Sequence, residues 1–207
     1  KRDRMTASRT SYDPQSLRAR LRFARVFLKN PVMLGAVLPS SRRLTRHLLD
    51  GLDWRSSRVI VEYGPGIGNL TWEILQRMRP DAVLVAIEFN RDLVAHLKAN
   101  FQDERLRIVH GSAADVRSIL AELGIQQADY IISGIPYSTL SIPDRERILR
   151  ESNLALRHNG VLLVYQFTTA VLPHLKDVFH EVRQDFEPLN ILPARIFWCT
   201  RNGASGD

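Results

Sequence analysis

From residue 59 onward the chain alternates short apolar runs with amphipathic stretches, and this constrains the fold more than any other feature. Val59 to Glu62, Ala82 to Glu88, Leu106 to His110, Ala128 to Ser133 and Val161 to Phe167 read as strands. Between them, Leu70 to Arg79, Arg91 to Asn100, residues 115–123 and Pro143 to Leu156 read as helices. Pro80 and Gly124 stop two of these helices, and Gly160 follows the last. A helix near 170–180 and strands near 181–187 and 194–200 complete the pattern. Such alternation predicts βαβ units, with a parallel sheet covered by helices on both faces. Ligands then bind at the carboxyl ends of the strands, near the topological switch point. The chemistry is therefore expected in the loops that follow the strands.

The first of these loops is Glu62-Tyr-Gly64-Pro-Gly66-Ile-Gly68-Asn69, between a strand and a helix. Its glycines permit a sharp turn and a close backbone approach to a ligand. The pattern is Gly-x-Gly-x-Gly, not the dinucleotide pattern, because position 69 is Asn. Glu62 lies two residues before the first glycine. A pyrophosphate disfavours a carboxylate there, whereas a sulfonium with an ammonium group favours one. S-adenosylmethionine is thus expected over NAD. Glu88, twenty residues past Gly68, ends the second strand and suits ribose hydroxyls. Phe89 suits the adenine face, and Gly111-Ser112-Ala113 after the third strand suits the adenine edge. Asp115 reads equally as a helix cap or as a ligand.

These three loops resemble the first three motifs of class I S-adenosylmethionine-dependent methyltransferases. The resemblance implies a Rossmann-like α/β fold, with a seven-stranded, mostly parallel sheet. It implies S-adenosyl-L-methionine as cofactor and S-adenosyl-L-homocysteine as product. After the fourth strand comes Ser133-Gly134-Ile135-Pro136-Tyr137. Adenine and amino-group methyltransferases carry Asn or Asp here, then Pro-Pro-Tyr or Leu-Pro-Tyr. Ser133-Gly134 lacks that side-chain carbonyl, which argues against a nucleic-acid base as acceptor. Ser133, Gly134 and Tyr137 are the expected catalytic residues: oxygens aim the acceptor nitrogen, and the Tyr137 ring either holds a cationic amine or packs in the core as a loop aromatic.

Charge is distributed unevenly. Residues 1–58 carry 14 Lys/Arg against 4 Asp/Glu, while residues 59–207 carry 15 against 18. A basic N-terminal segment on a near-neutral body points to a polyanionic partner. In residues 17–29, Leu17, Leu21, Ala24 and Leu28 form one helical stripe, widened by Phe23 and Phe27. Arg18, Arg22, Arg25 and Lys29 form another, and Arg20 must snorkel from the apolar arc. This suits a membrane-surface helix. It also suits a helix packed on the body, and the two uses are compatible. Phe27-Leu-Lys-Asn-Pro, Gly35-Ala-Val-Leu-Pro-Ser-Ser, Ser133-Gly-Ile-Pro-Tyr and Asn190-Ile-Leu-Pro-Ala-Arg195 resemble bacterial phospholipid N-methyltransferases. That resemblance implies phosphatidylethanolamine as acceptor, methylated stepwise to phosphatidylcholine. The partners expected are a phospholipid substrate and an anionic membrane surface, not nucleic acid, for a monomeric enzyme. Arg195 reads either as a ligand for lipid phosphate or as a plain strand-end arginine.

The resulting layout is a basic segment with a lid or membrane helix at 1–35, a methyltransferase domain at 36–201 and a tail at 202–207. Ser40 or Ser41 is expected to cap a helix over 42–50. No apolar run nears the roughly 18 residues needed to span a bilayer. The first 16 residues are polar and charged, unlike a secretory signal. A single cysteine excludes a disulfide framework, and no Cys/His cluster has metal-ligand spacing. The expected location is cytoplasmic, peripheral on the inner face of the membrane. Two other readings stay open: an RNA adenine dimethyltransferase, whose phosphate contacts a basic arm would suit, and a non-catalytic lipid-surface protein on the same scaffold.

Overall fold

The computed structural model describes residues 42–188 and 193–201. The expected helix at 17–29, its cations and aromatics, and a cap at Ser40 or Ser41 lie outside these residues. In chain order the elements are α1 (Arg42–Asp50), β1 (Val59–Tyr63), α2 (Asn69–Arg77), β2 (Val83–Glu88), α3 (Arg91–Asn100) and β3 (Leu106–His110). A 3-10 turn (Ala113–Asp115), α4 (Val116–Glu122), β4 (Ala128–Ser133) and a second 3-10 turn (Tyr137–Thr139) follow. The chain continues through α5 (Ile142–Ala155), β5 (Leu156–Gln166), α6 (Leu172–Val178), β6 (Glu181–Glu187) and β7 (Ala194–Thr200).

All seven strands form one sheet in the order β3-β2-β1-β4-β5-β7-β6. The first five are mutually parallel, and β7 runs antiparallel to both β5 and β6. The order reverses between β1 and β4, which places the switch point between Gly64 and Gly134. This is the Rossmann-like arrangement that the alternation predicts.

Strand alternation divides the core into two layers. Tyr63, Val85, Ile131, Leu162 and Phe197 pack with Val116, Leu149 and Leu175 of α4, α5 and α6. Ile60, Leu84, Ile132, Leu163 and Ile196 pack with Leu48, Ile74 and Leu97 of α1, α2 and α3. Polar side chains fix the element ends. The Asn90 Oδ1 accepts the Asp92 and Leu93 amides at 2.8 and 3.2 Å and so starts α3. Ser141 Oγ accepts the Asp144 amide at the start of α5, whose first turn holds Pro143. Asp129 Oδ2 accepts the Arg58 and Val59 amides at 2.7 and 2.8 Å, pinning the start of β1 beside β4.

One boundary differs from expectation. The fifth strand starts at Leu156, directly after α5, rather than at Val161. Asn159 takes a left-handed φ of 58°, and the register shifts between the Ala128 and Tyr130 pairings. The irregular stretch 157–160 therefore belongs to the sheet, and Gly160 is not a helix terminus.

Candidate active site

Backbone hydrogen bonds tie together the loops at the carboxyl edge. The Gly64 amide donates to Ile87 O, the Gly111 amide to Glu88 O and the Gly134 amide to Tyr63 O, each at 3.0 Å. The ladder thus extends one residue beyond the strands, bringing three of the expected loops and the acceptor loop side by side. Within the first loop Gly64, Gly66 and Gly68 have φ of 66°, 60° and 88°. Side chains are strained in that region, so the turn needs glycine. A Cβ at Gly68 would also lie 2.4 Å from the Phe101 ring.

Two acids flank this turn. Glu62 is 1% exposed, and its Oε2 accepts the Thr71 hydroxyl at 2.7 Å. Burial, reinforced by the nearby Glu88 charge, pushes its carboxyl up to about 8, although the Thr71 bond opposes the shift. Glu88 is also buried; Oε2 accepts the Gly66 amide at 3.1 Å and Oε1 the Asn90 amide at 2.9 Å. Desolvation raises its carboxyl too, against those amide bonds. Two buried acids whose carboxyls are both raised, beside a glycine turn, suit a cationic ligand, which would favour their ionised forms. The Asn69 Oδ1, at the start of α2, is buried without a hydrogen-bond partner. It is a further acceptor at the same turn.

Phe89 is 79% exposed, an unusual placement for a phenylalanine, and sits directly after Glu88. The imidazole of His110 lies 3.1 Å from the Phe89 carbonyl and ties the β2 and β3 loops together. Ser112 Oγ accepts the Ala114 amide at 3.2 Å, so Ser112 starts the 3-10 turn; Ala113 is buried beneath it. Asp115 forms no cap bond and pairs with Arg147 instead.

The acceptor loop departs from expectation at two residues. Ser133 and Tyr137 are fully buried, and the Ser133 hydroxyl donates to the Tyr137 hydroxyl at 3.2 Å. The cause is strand alternation. Ser133 pairs with Tyr63 and points to the α4–α6 layer, and the 3-10 turn after Pro136 folds Tyr137 into that same layer. Burial raises the Tyr137 phenol well above its usual range, so it stays neutral. Neither side chain presents an open face to an amine here. Gly134 alone of the three lies on the α1–α3 side, partly exposed, with Tyr165 of β5 against it.

Arg195 lies at the same sheet edge, paired with Gln166 of β5, and its guanidinium sits 5.4 Å from the Phe186 ring centroid. His47 of α1 was not singled out by sequence reasoning. Its Nδ1 lies 3.0 Å from Glu187 Oε2 and its Nε2 2.8 Å from Asp185 Oδ2, joining α1 to the edge strand. Those hydrogen bonds, led by Glu187, raise the imidazole above its ordinary value.

Known proteins share both the fold and the sequence. A precorrin-6y C5,15-methyltransferase from Geobacter metallireducens superposes with a TM-score of 0.62 at 15% identity, covering 79% of this chain and 89% of that one. TrmN from Thermus thermophilus gives 0.60 at 16% identity, covering 87% and 52%. An ornithine lipid N-methyltransferase from Singulisphaera acidiphila is 29% identical over 175 residues, 84% of this chain and 91% of that protein. A ribosomal RNA small subunit methyltransferase A from Mycoplasma mycoides is 39% identical over 102 residues, but these are 47% of this chain and 36% of that protein. The ribosomal RNA adenine dimethylase family matches residues 17–200. A methyltransferase family implies S-adenosylmethionine as methyl donor, and the residues fit it: a turn with glycine at its three positive-φ positions, two raised carboxyls and an unpaired amide oxygen. With that fold, that turn and a match over most of its length, the chain is a methyltransferase and belongs to the ribosomal RNA adenine dimethylase family.

Proposed function

We propose that this methyltransferase acts on the amine of a lipid head group, with phosphatidylethanolamine as acceptor, converted stepwise to phosphatidylcholine. The observation that carries this reading is the length of the likeness to the ornithine lipid N-methyltransferase. It runs through 91% of that protein, whereas the ribosomal RNA relative is matched over 36%. The glycine at position 134 agrees with it, since no side-chain carbonyl is present there to grip an adenine amino group.

When bound, S-adenosylmethionine supplies an electrophilic methyl on a positively charged sulfur. The chain's own residues do the rest. Glu62 and Asn69 suit the charged amino-acid end of the cofactor, Glu88 its ribose, and Phe89 with Gly111, Ser112 and Ala113 its base. An alkylammonium resembles a lysine side chain, which ionises near pH 10. The acceptor must therefore arrive neutral, and a poorly hydrated site favours that form. Positioning accounts for much of the remaining acceleration. Arg195 lies at the same edge, two strands from Gly134, and suits the lipid phosphate. The basic N-terminal segment suits an anionic leaflet, where each cation contributes about 1 kcal/mol.

The test is incubation with S-adenosylmethionine and phosphatidylethanolamine vesicles, with ornithine lipid vesicles in parallel, followed by mass spectrometry of the lipids. Lipid ions heavier by one or more methylene masses are expected. Unchanged lipids in both arms would overturn the proposal.

A further inference from the structure

Gly134 is not glycine because its backbone requires it. Among the described glycines only Gly64, Gly66, Gly68 and Gly124 have positive φ, so position 134 could carry a side chain without strain. What excludes one is Tyr165. A Cβ at Gly134 would lie 2.5 Å from the Tyr165 hydroxyl oxygen and 3.1 Å from Cζ. The phenol thus occupies the place of the missing side chain. The sheet register makes this possible. Ser133 pairs with Val164, which brings Gly134 opposite Tyr165 on the α1–α3 face, at the switch point beside Gly64. Tyr165 is partly exposed and packs against the α1–α3 layer.

We propose that Tyr165 determines acceptor selectivity: its phenolic oxygen, standing where a side chain on residue 134 would be, takes an N–H of an alkylamine acceptor. This inference rests on the lipid-amine reading above. A carboxamide at residue 134 would present both a donor and an acceptor to a flat amino-purine. A phenol on the neighbouring strand presents one oxygen that can accept, and its ring narrows the space for a planar base. A primary amine carries N–H bonds for that oxygen. Each methyl added removes one, so the grip weakens along the series from primary to tertiary amine. The ring face still attracts the product cation.

The experiment compares wild type with Tyr165→Phe on mixed micelles of phosphatidylethanolamine or its monomethyl and dimethyl derivatives. Calorimetry with S-adenosylhomocysteine shows whether the cofactor half of each variant is intact. Tyr165→Phe is expected to lower kcat/KM on the primary amine about tenfold, one hydrogen bond's worth. On the dimethylated lipid the change is expected to stay within about twofold, since a neutral tertiary amine has no N–H left to donate. Homocysteine-nucleoside affinity is expected to be unchanged. A second arm is free of this comparison: Gly134→Ala is expected to lose activity through its clash with the hydroxyl, and Gly134→Ala with Tyr165→Phe to regain part of it. An unselective loss across the three lipids, or no loss, would overturn the role of Tyr165. So would a double variant no better than Gly134→Ala. Failure of the wild type on every lipid amine would instead overturn the reading on which this inference rests.

Discussion

Replacing Glu62 by Gln is expected to stabilise the cofactor-free protein and weaken cofactor binding together. In the unfolded chain this carboxyl ionises near 4.5, but in the fold it ionises near 8. At pH 7 the unfolded state therefore gains about 3 kcal/mol from ionisation that the buried group forgoes. Glutamine has no such ionisation in either state and still offers an oxygen to Thr71. Allowing about 1 kcal/mol for a less favourable hydrogen bond, the variant is more stable by about 2 kcal/mol, or roughly 4–8 °C in Tm for a chain of this size. The sign with pH follows from the raised value. The neutral carboxyl's contribution is complete below pH 4.5 and is lost as pH rises towards 8. The variant should therefore be slightly less stable than wild type at pH 4.5, match it at about pH 5, gain on it up to pH 8 and keep a constant lead above. Affinity for S-adenosylhomocysteine should fall about tenfold or more, because a charge-assisted contact is lost. Differential scanning fluorimetry across pH and calorimetry read the two effects. A variant less stable than wild type at pH 8, or one with undiminished affinity, would refute the argument that Glu62 is kept for a cationic ligand.

Three further outcomes are expected. Gly68→Ala meets both a φ of 88° and the Phe101 ring at 2.4 Å, so urea unfolding should show a loss of roughly 2–4 kcal/mol. His47→Gln should cost about 1 kcal/mol, more at pH 6 than at pH 9, because the raised imidazole stabilises the fold below its unfolded value and ceases to as pH rises through its folded value. Changing Arg18, Arg22, Arg25 and Lys29 together to Gln should weaken sedimentation with anionic vesicles by roughly a thousandfold at low salt, from about 1 kcal/mol per cation. Equal sedimentation would dissociate the basic segment from the membrane.

The sheet and its helices were legible because local signals agreed. Pro80 and Gly124 mark the ends of α2 and α4 to within two residues, and the apolar run 82–88 marks β2 to within one. The glycine turn was legible because its three positive-φ positions demand the one residue type that the sequence supplies. Position along the chain also placed Glu62 and Glu88 at strand ends. It could not show that the Glu62 carboxylate meets Thr71, or that Glu88 reaches across to the Gly66 amide. The acceptor loop was harder to read. Ser133 and Tyr137 lie within four residues of Gly134, yet the pleat turns them into the opposite layer. Tyr165 read as one more core residue of a buried strand. Its place against Gly134 depends on the β4–β5 register, which no local pattern encodes. The His47 contacts with Asp185 and Glu187 span 138 and 140 residues and had no sequence signal.

The proposed acceptor is a lipid amine. The most direct test is one reaction holding methyl-labelled S-adenosylmethionine, phosphatidylethanolamine vesicles and undermethylated small-subunit ribosomal RNA, separated afterwards into chloroform and aqueous phases. Label in the chloroform phase, growing with time and absent from the RNA, is the predicted result. Label on the RNA with none in the lipid would contradict it.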